Sequence, residues 1–325
     1  MKNRSTKSIF LDLKKLSKSN NSKKKLSFKF ESELLDYHSH LKNFSSQHYK
    51  LFEEYAHQLS LQDSINDLFD GKIVNKTENR QALHHQYRNN QSVSEFDFKK
   101  ITGPFIKRIK KDGFKNIITF GIGGSYEGPK LLQEYTNKQS SKLNYYFVSG
   151  PDRDEFNAIL KPLRDQKNFY IFSSKSLSTD ETLLCLRWLG AKRNSTNSIV
   201  ITANTEKAKT LGFNKNCIVP FPETVGGRYS IWSPISLSVA LENNFSKFLK
   251  GGLSADQMLL GVTKIDLQYQ KFIKTLAFSD LWFSNFLNKK NRVVLSYNWK
   301  LRSLQSYIQQ LEMESLGKRA NPKSI

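Results

Sequence analysis

A chain of 325 residues, 38% hydrophobic and 12% aromatic, is long enough to bury a core across two domains without help from cross-links. Its two cysteines, Cys185 and Cys217, stand in the apolar stretches LLCLRW and KNCIVP, which excludes a disulfide scaffold and suits a reducing compartment. Lys and Arg number 51 against 29 Asp and Glu, a net charge of +22, yet the lysines are spread along the chain and no zinc-finger spacing, RNP motif or basic zipper accompanies them, so nucleic acid is not the expected partner. No apolar run reaches the length of a membrane span, and the N-terminus MKNRSTKSIFLDLKKL lacks the apolar core of a secretory signal. The expected location is cytoplasmic.

In chain order, residues 1–29 are rich in Ser, Asn and Lys, densest in KKLSKSNNSKKKLSFK (14–29), and predict a basic disordered tail. Residues 30–100 carry apolar groups at three- and four-residue steps, as in FESELLDYHSHLKNFSSQHYKLFEEYAHQL, and predict a helical segment. Over 101–245 the pattern changes. Short apolar runs, NIITFGIGG (116–124), NYYFVSG (144–150), NFYIFSS (168–174), SIVITAN (198–204) and NCIVPFP (216–222), alternate with amphipathic stretches. That alternation predicts βαβ units: an α/β fold whose parallel sheet is flanked by helices on both faces. Residues 246–290 read as a helical connection, and RVVLSY (292–297) as a strand opening a further sheet over 291–325.

In such sheets ligands gather where strand C-termini meet the following loops, and the loops here carry chemistry. GIGGSYEGPK (121–130) turns backbone N–H groups and a helix N-terminus toward whatever binds, with Gly124 and Ser125 at the turn. Tyr126 stands where a dinucleotide fingerprint needs glycine, and Pro129 interrupts a Walker loop. SSKSLSTDET (173–182) sets Ser174, Ser176, Ser178 and Thr179 around Lys175 ahead of Asp180 and Glu181, a set suited to a phosphate monoester; a plain capping box is the alternative. In VGGRYSIWSPIS (225–236), Gly226 and Gly227 clear space beside Arg228, whose fixed cationic fork suits oxygen that gains charge, or else serves a structural ion pair. In QQLEMESLGK (309–318), Glu314 lies between Met313 and Ser315; apolar surroundings would raise its pKa toward that of a general base, whereas a solvated helical glutamate would have no such role.

Together these stretches resemble the glucose-6-phosphate isomerase family. GIGGSYEGPK is similar to its GIGGSxLGP loop, SSKSLSTDET to its SKTFTTxET loop, ETVGGRYSIWSPIS to its VGGRYS signature and QQLEMESLGK to its QQxxMESNGK segment. NKTENRQALHHQYR (75–88) is similar to the family's N-x-TExRAVLHxALR, with Gln86 and Tyr87 in place of the usual pair before Arg88. The likeness covers roughly residues 70–320 and departs at Ser176, where threonine is usual, and at Leu316, where asparagine is common.

The resemblance implies two sugar-isomerase (SIS) domains, 101–245 forming the first and 291–325 the truncated start of the second, and a homodimer when full length. It implies that Gly124, Ser125, Ser174, Lys175, Ser176 and Thr179 bind a sugar phosphate. Gly227, Arg228 and Gln310 would then face the reacting carbons, and Glu314 would move a proton between C2 and C1 through a cis-enediol(ate), with neither metal nor cofactor. The implied reaction interconverts glucose 6-phosphate and fructose 6-phosphate in glycolysis and gluconeogenesis; a catalytically impaired sugar-phosphate-binding protein is the alternative. The family's ring-opening histidine and C-terminal lysine have no counterpart, since all six histidines precede residue 90 and the final KRANPKSI holds neither motif, so the expected sequence is a fragment of a longer product.

Overall fold

The computed structural model describes residues 4–19, 25–33, 35–89, 93–136, 140–190 and 194–317. The chain divides into two compact units, one combining residues 1–81 with 252–293, the other 82–251 with 294–325.

The first unit opens with helix α1 (Thr6–Lys18), whose N-cap Ser5 accepts from the Ser8 N–H. Ile9 and Leu13 fall four residues apart on one face and are buried with Phe44 and Phe52. Strands β1 (Lys25–Glu31) and β2 (Asp36–Lys42) form an antiparallel hairpin, and helices α2 (Ser46–Gln58) and α3 (Leu61–Phe69) follow.

Two expectations are corrected here. The described part of residues 1–29 is not a disordered tail: α1 hides an apolar stripe among its lysines, and 25–29 pair in β1, while 1–3 and 20–24 lie outside the described residues. Nor is the region from residue 30 helical throughout. KLSFKFE alternates with period two, so Phe30 turns inward opposite Tyr37, and both rings meet Phe272, the first stacked at 5.2 Å and the second tilted at 4.7 Å.

The second unit is built on a parallel sheet. After α4 (Gln86–Asn89) and α5 (Phe98–Lys111), strands and helices alternate: β3 (Asn116–Phe120), α6 (Glu127–Thr136), β4 (Asn144–Val148), α7 (Arg153–Leu160), β5 (Asn168–Ser173), α8 (Asp180–Leu189), β6 (Ser198–Thr202), α9 (Thr205–Thr210) and β7 (Ile218–Pro220). The spatial order is β4-β3-β5-β6-β7, all parallel. All five predicted apolar runs contain these strands, and β3, β5 and β6 are buried at every position because helices cover both faces. Successive side chains sort accordingly. Ile117, Phe169, Ile171, Ile199 and Ile201 pack on one side, while Ile118, Phe120, Tyr170, Phe172 and Val200 pack on the other with Cys185 and Cys217.

Register is pinned at the strand starts by an asparagine row, buried at Asn116 and Asn168 and exposed at Asn144. Asn144 Nδ2 donates to Asn116 Oδ1 at 3.0 Å, and Asn116 Nδ2 donates to Asn168 Oδ1 at 2.9 Å.

Beyond β7 come α10 (Leu237–Ala240), α11 (Phe245–Leu260), α12 (Lys264–Leu281) and α13 (Leu304–Leu316). RVVLSY forms no strand: residues 288–297 have no regular structure, and Val293, Leu295 and Tyr297 are exposed, because an extended segment gains nothing without a ladder partner. The stretch expected to open a second domain instead joins the sheet unit. Glu134 on α6 takes Arg302 Nη2 at 2.9 Å and Ser303 Oγ at 2.6 Å, which anchors the start of α13, and Tyr307 packs against the core. Residues 318–325 lie outside the described residues.

Candidate active site

The three loops leave the sheet at its carboxyl end. GIGGS follows β3, SSKSLST follows the neighbouring β5, and VGGRYS follows β7. β3 lies where the strand order reverses direction, the position at which open α/β sheets form a crevice.

Backbone contact between the first and third loops is close enough to demand glycine. A Cβ on Gly124 would lie 1.8 Å from the Gly227 carbonyl oxygen, and Ser230 Oγ donates to the Gly124 carbonyl at 3.1 Å. Gly123 adopts φ +55°, and a Cβ there would meet Gln310 Nε2 at 2.9 Å. Loop GIGGS is therefore wedged between VGGRYS and α13. The sequence placed the clearance at Gly226 and Gly227; the close approach is at Gly124, while a Cβ on Gly227 would meet nothing within 4 Å.

On α13, Gln310 and Glu314 sit four residues apart on one face, and Gln310 Nε2 donates to Glu314 Oε1 at 2.7 Å. Across from them Arg228 Nη1 stands 3.6 Å from Glu314 Oε2, while Arg228 Nε donates to Ser315 Oγ at 2.7 Å. Tyr307 donates to the Arg228 carbonyl at 3.5 Å, and its burial raises its phenol pKa, so it remains a neutral donor. With side chains 21% and 44% exposed, the Arg228–Glu314 pair contributes little to stability, so the arrangement is not explained as a fold-stabilising ion pair. The apolar enclosure expected around Glu314 is not found. Met313 and Leu316 beside it are exposed, and its nearest described partners are the Gln310 amide and the Arg228 guanidinium.

The 173–182 loop keeps its hydroxyls turned on one another rather than on the helix. Ser174 Oγ lies 3.2 Å from Thr179 Oγ1 and accepts from the Leu177 N–H at 3.1 Å, and Ser176 Oγ lies 2.5 Å from Ser178 Oγ. Thr179 occupies the N-cap position of α8 but makes no side-chain cap bond, which sets aside the capping-box reading and leaves first-turn N–H groups without that partner. Leu177 holds φ +50° with its side chain buried, fixing the loop's curl, and the Lys175 carbonyl is tied to Ala203 N and Thr202 Oγ1, each at 3.0 Å.

The structure thus links Gly124, Gly227, Arg228, Gln310 and Glu314 through direct contacts, and sets Ser174, Lys175, Ser176 and Thr179 in the loop after β5, the strand beside the one that leads into Ser125's loop. Ser315, Tyr229 and His84 were missed. Tyr229 and Ser315 lie inside the quoted motifs, but as neutral groups next to Arg228 and Glu314 they gave no separate signal. His84 gave none. A cavity of about 480 Å³ near Lys110, Gln133 and Glu242 opens near the other end of the sheet and holds none of these residues.

The family model described as phosphoglucose isomerase matches residues 36–325. Among curated relatives, the glucose-6-phosphate isomerase of Buchnera aphidicola (from Cinara cedri) is 33% identical over 305 residues, covering 84% of this chain and 55% of that protein. That of Wigglesworthia glossinidia brevipalpis is 32% identical over 317 residues, covering 88% and 57%. Among solved structures, a glucose-6-phosphate isomerase from Chlamydia trachomatis superposes with a TM-score of 0.78 at 19% identity, over 95% of this chain and 66% of that one. A hypothetical protein from Thermus thermophilus superposes with a TM-score of 0.64 at 21% identity, over 84% and 63%. The chain spans about half the length of the curated relatives it matches. With most of its length matched by the family model and a third of its residues shared with such relatives, the chain belongs to the phosphoglucose isomerase family.

Proposed function

We propose that this chain carries the phosphate-gripping loop and the proton-transfer groups of a glucose-6-phosphate isomerase. One observation supports the reading above others: a carboxylate that a neutral amide holds on one oxygen and a fixed guanidinium faces on the other, beside backbone stripped of Cβ atoms. In the open-chain aldose, Glu314 removes the C2 proton, and the C1 carbonyl oxygen becomes the oxygen of a cis-enediolate. Arg228, immobilised through Ser315, meets that negative charge as it forms. Glu314 returns the proton to C1 while the O2 hydroxyl passes its own to O1, leaving a ketone at C2 and a hydroxyl at C1. Electrons move within the substrate, so the step calls for no redox partner. Ser125 and the 174–179 hydroxyls, with Lys175 and the α8 N-terminus, hold the phosphate and position the reacting carbons.

A coupled assay for fructose 6-phosphate formation from glucose 6-phosphate tests this. The native chain is expected to turn over, and Glu314→Gln to lower kcat by about 10²–10⁴-fold. Equal rates for the two, or no turnover by the native chain on open-chain sugar, would contradict the proposal.

A further inference from the structure

His84, in the NKTENRQALHHQYR stretch, lies far in sequence from the three loops and from α13 but touches the site through one ring. Its imidazole stacks on Tyr229 with centroids 4.4 Å apart and planes 15° from parallel. The Arg228 guanidinium carbon lies 4.7 Å from the Tyr229 ring centroid. The Tyr229 hydroxyl lies 3.3 Å from Ser315 Oγ, the atom that also accepts from Arg228 Nε. A phenol stacked against a second ring has fewer places to go, and a guanidinium resting on that phenol inherits the restriction.

We propose that His84 is a positioning residue: through its stack on Tyr229 it fixes where the Arg228 guanidinium stands relative to Glu314. The ring is partly buried and its Nδ1 is shut off without a partner among the described residues, so stacking rather than hydrogen bonding at that nitrogen holds it. Burial, followed by the positive Arg88, His85 and Arg228, pushes its pKa down to about 3. At neutral pH it is an uncharged plate, which supports Arg228 without competing for Glu314. Trp232, three residues past Tyr229, carries Arg88 at 4.6 Å from its ring centroid. The segment after Arg228 is thus gripped twice by residues from 84–88.

The consequence for catalysis rests on the isomerase reading above; the positioning itself is tested without substrate. In the uniformly ¹⁵N-labelled full chain, the Arg228 Nε–Hε resonance, assigned by its loss in Arg228→Lys, is expected to be sharp and slow to exchange. His84→Leu, which keeps the bulk and removes the plane, is expected to speed that exchange by about tenfold, and His84→Phe to restore it to within about twofold. Tyr229→Leu, which removes the middle plane, should match His84→Leu and covers the case in which that variant does not fold. In the coupled assay kcat should fall by about tenfold in His84→Leu with KM within about twofold, again rescued by His84→Phe. An Arg228 signal unchanged in folded His84→Leu, or a His84→Phe variant as disordered as His84→Leu, would overturn the inference. A native chain with an ordered Arg228 but no turnover would instead count against the isomerase reading alone.

Discussion

At the residue scale the site depends on two kinds of exactness, one steric and one electrostatic. Gly124 faces the Gly227 carbonyl at a separation no Cβ tolerates, so Gly124→Ala must push one loop off the other. It is expected to cost on the order of 3 kcal/mol in urea unfolding. Gly227→Ala has open space and should stay within about 0.5 kcal/mol of the native chain; on the proposed isomerase reading, its methyl would face the sugar and lower turnover. A Gly227→Ala chain as destabilised as Gly124→Ala would refute this assignment.

The electrostatic case is His84, whose pKa falls from 6.5 in the unfolded chain to about 3 in the native one. Above pH 6.5 the ring is neutral in both states and stability does not depend on it. Between 6.5 and 3 the unfolded chain binds a proton that the native chain refuses, so stability drains as pH falls, at no more than about 1.4 kcal/mol per unit. Stability against pH measured for His84→Phe should be flatter than native across that window. Parallel curves would contradict the shift. None of this was legible in LHHQYR, because a histidine's burial is set by what folds over it.

At the element scale, the strands of the sheet were the most readable part of the sequence. β3, β5 and β6 are buried at every position because both faces are covered, so their apolar residues appear as short continuous runs rather than alternations. The asparagines that start three of the sheet's strands looked like loop punctuation and proved to be a ladder. Asn116 is fully buried at its centre, and Asn116→Ala would leave the buried Asn168 Oδ1 without that donor. A loss of about 2–4 kcal/mol in urea unfolding is expected, and a change under about 0.5 kcal/mol would show the row to be incidental. The unreadable elements fail for identifiable reasons. α1 needs only Ile9 and Leu13 to dock, and its many lysines dilute that stripe below notice. β1 and β2 are short and half polar, and their pairing with each other and with Phe272 is tertiary. RVVLSY has strand composition but no neighbour to bond, and composition alone cannot make a ladder.

At the scale of the whole molecule, the site is assembled from segments nearly 200 residues apart, from the loop after β3 to α13. The motifs marked candidate residues; they did not tell that α13 is tied by Glu134 to the helix following the first of those loops. That tie brings Glu314 to Arg228 within one compact unit of a chain about half the length of its relatives. Among the described residues no helix is long and apolar enough to cross a membrane. The chain's role therefore turns on whether this half-length assembly moves protons between carbons. Deuterium incorporation answers that most directly. With fructose 6-phosphate in D₂O, followed by NMR, the native chain is expected to exchange hydrogen at C1 for deuterium and Glu314→Gln to leave it in place. Exchange of equal extent in both, or in neither, would contradict the account.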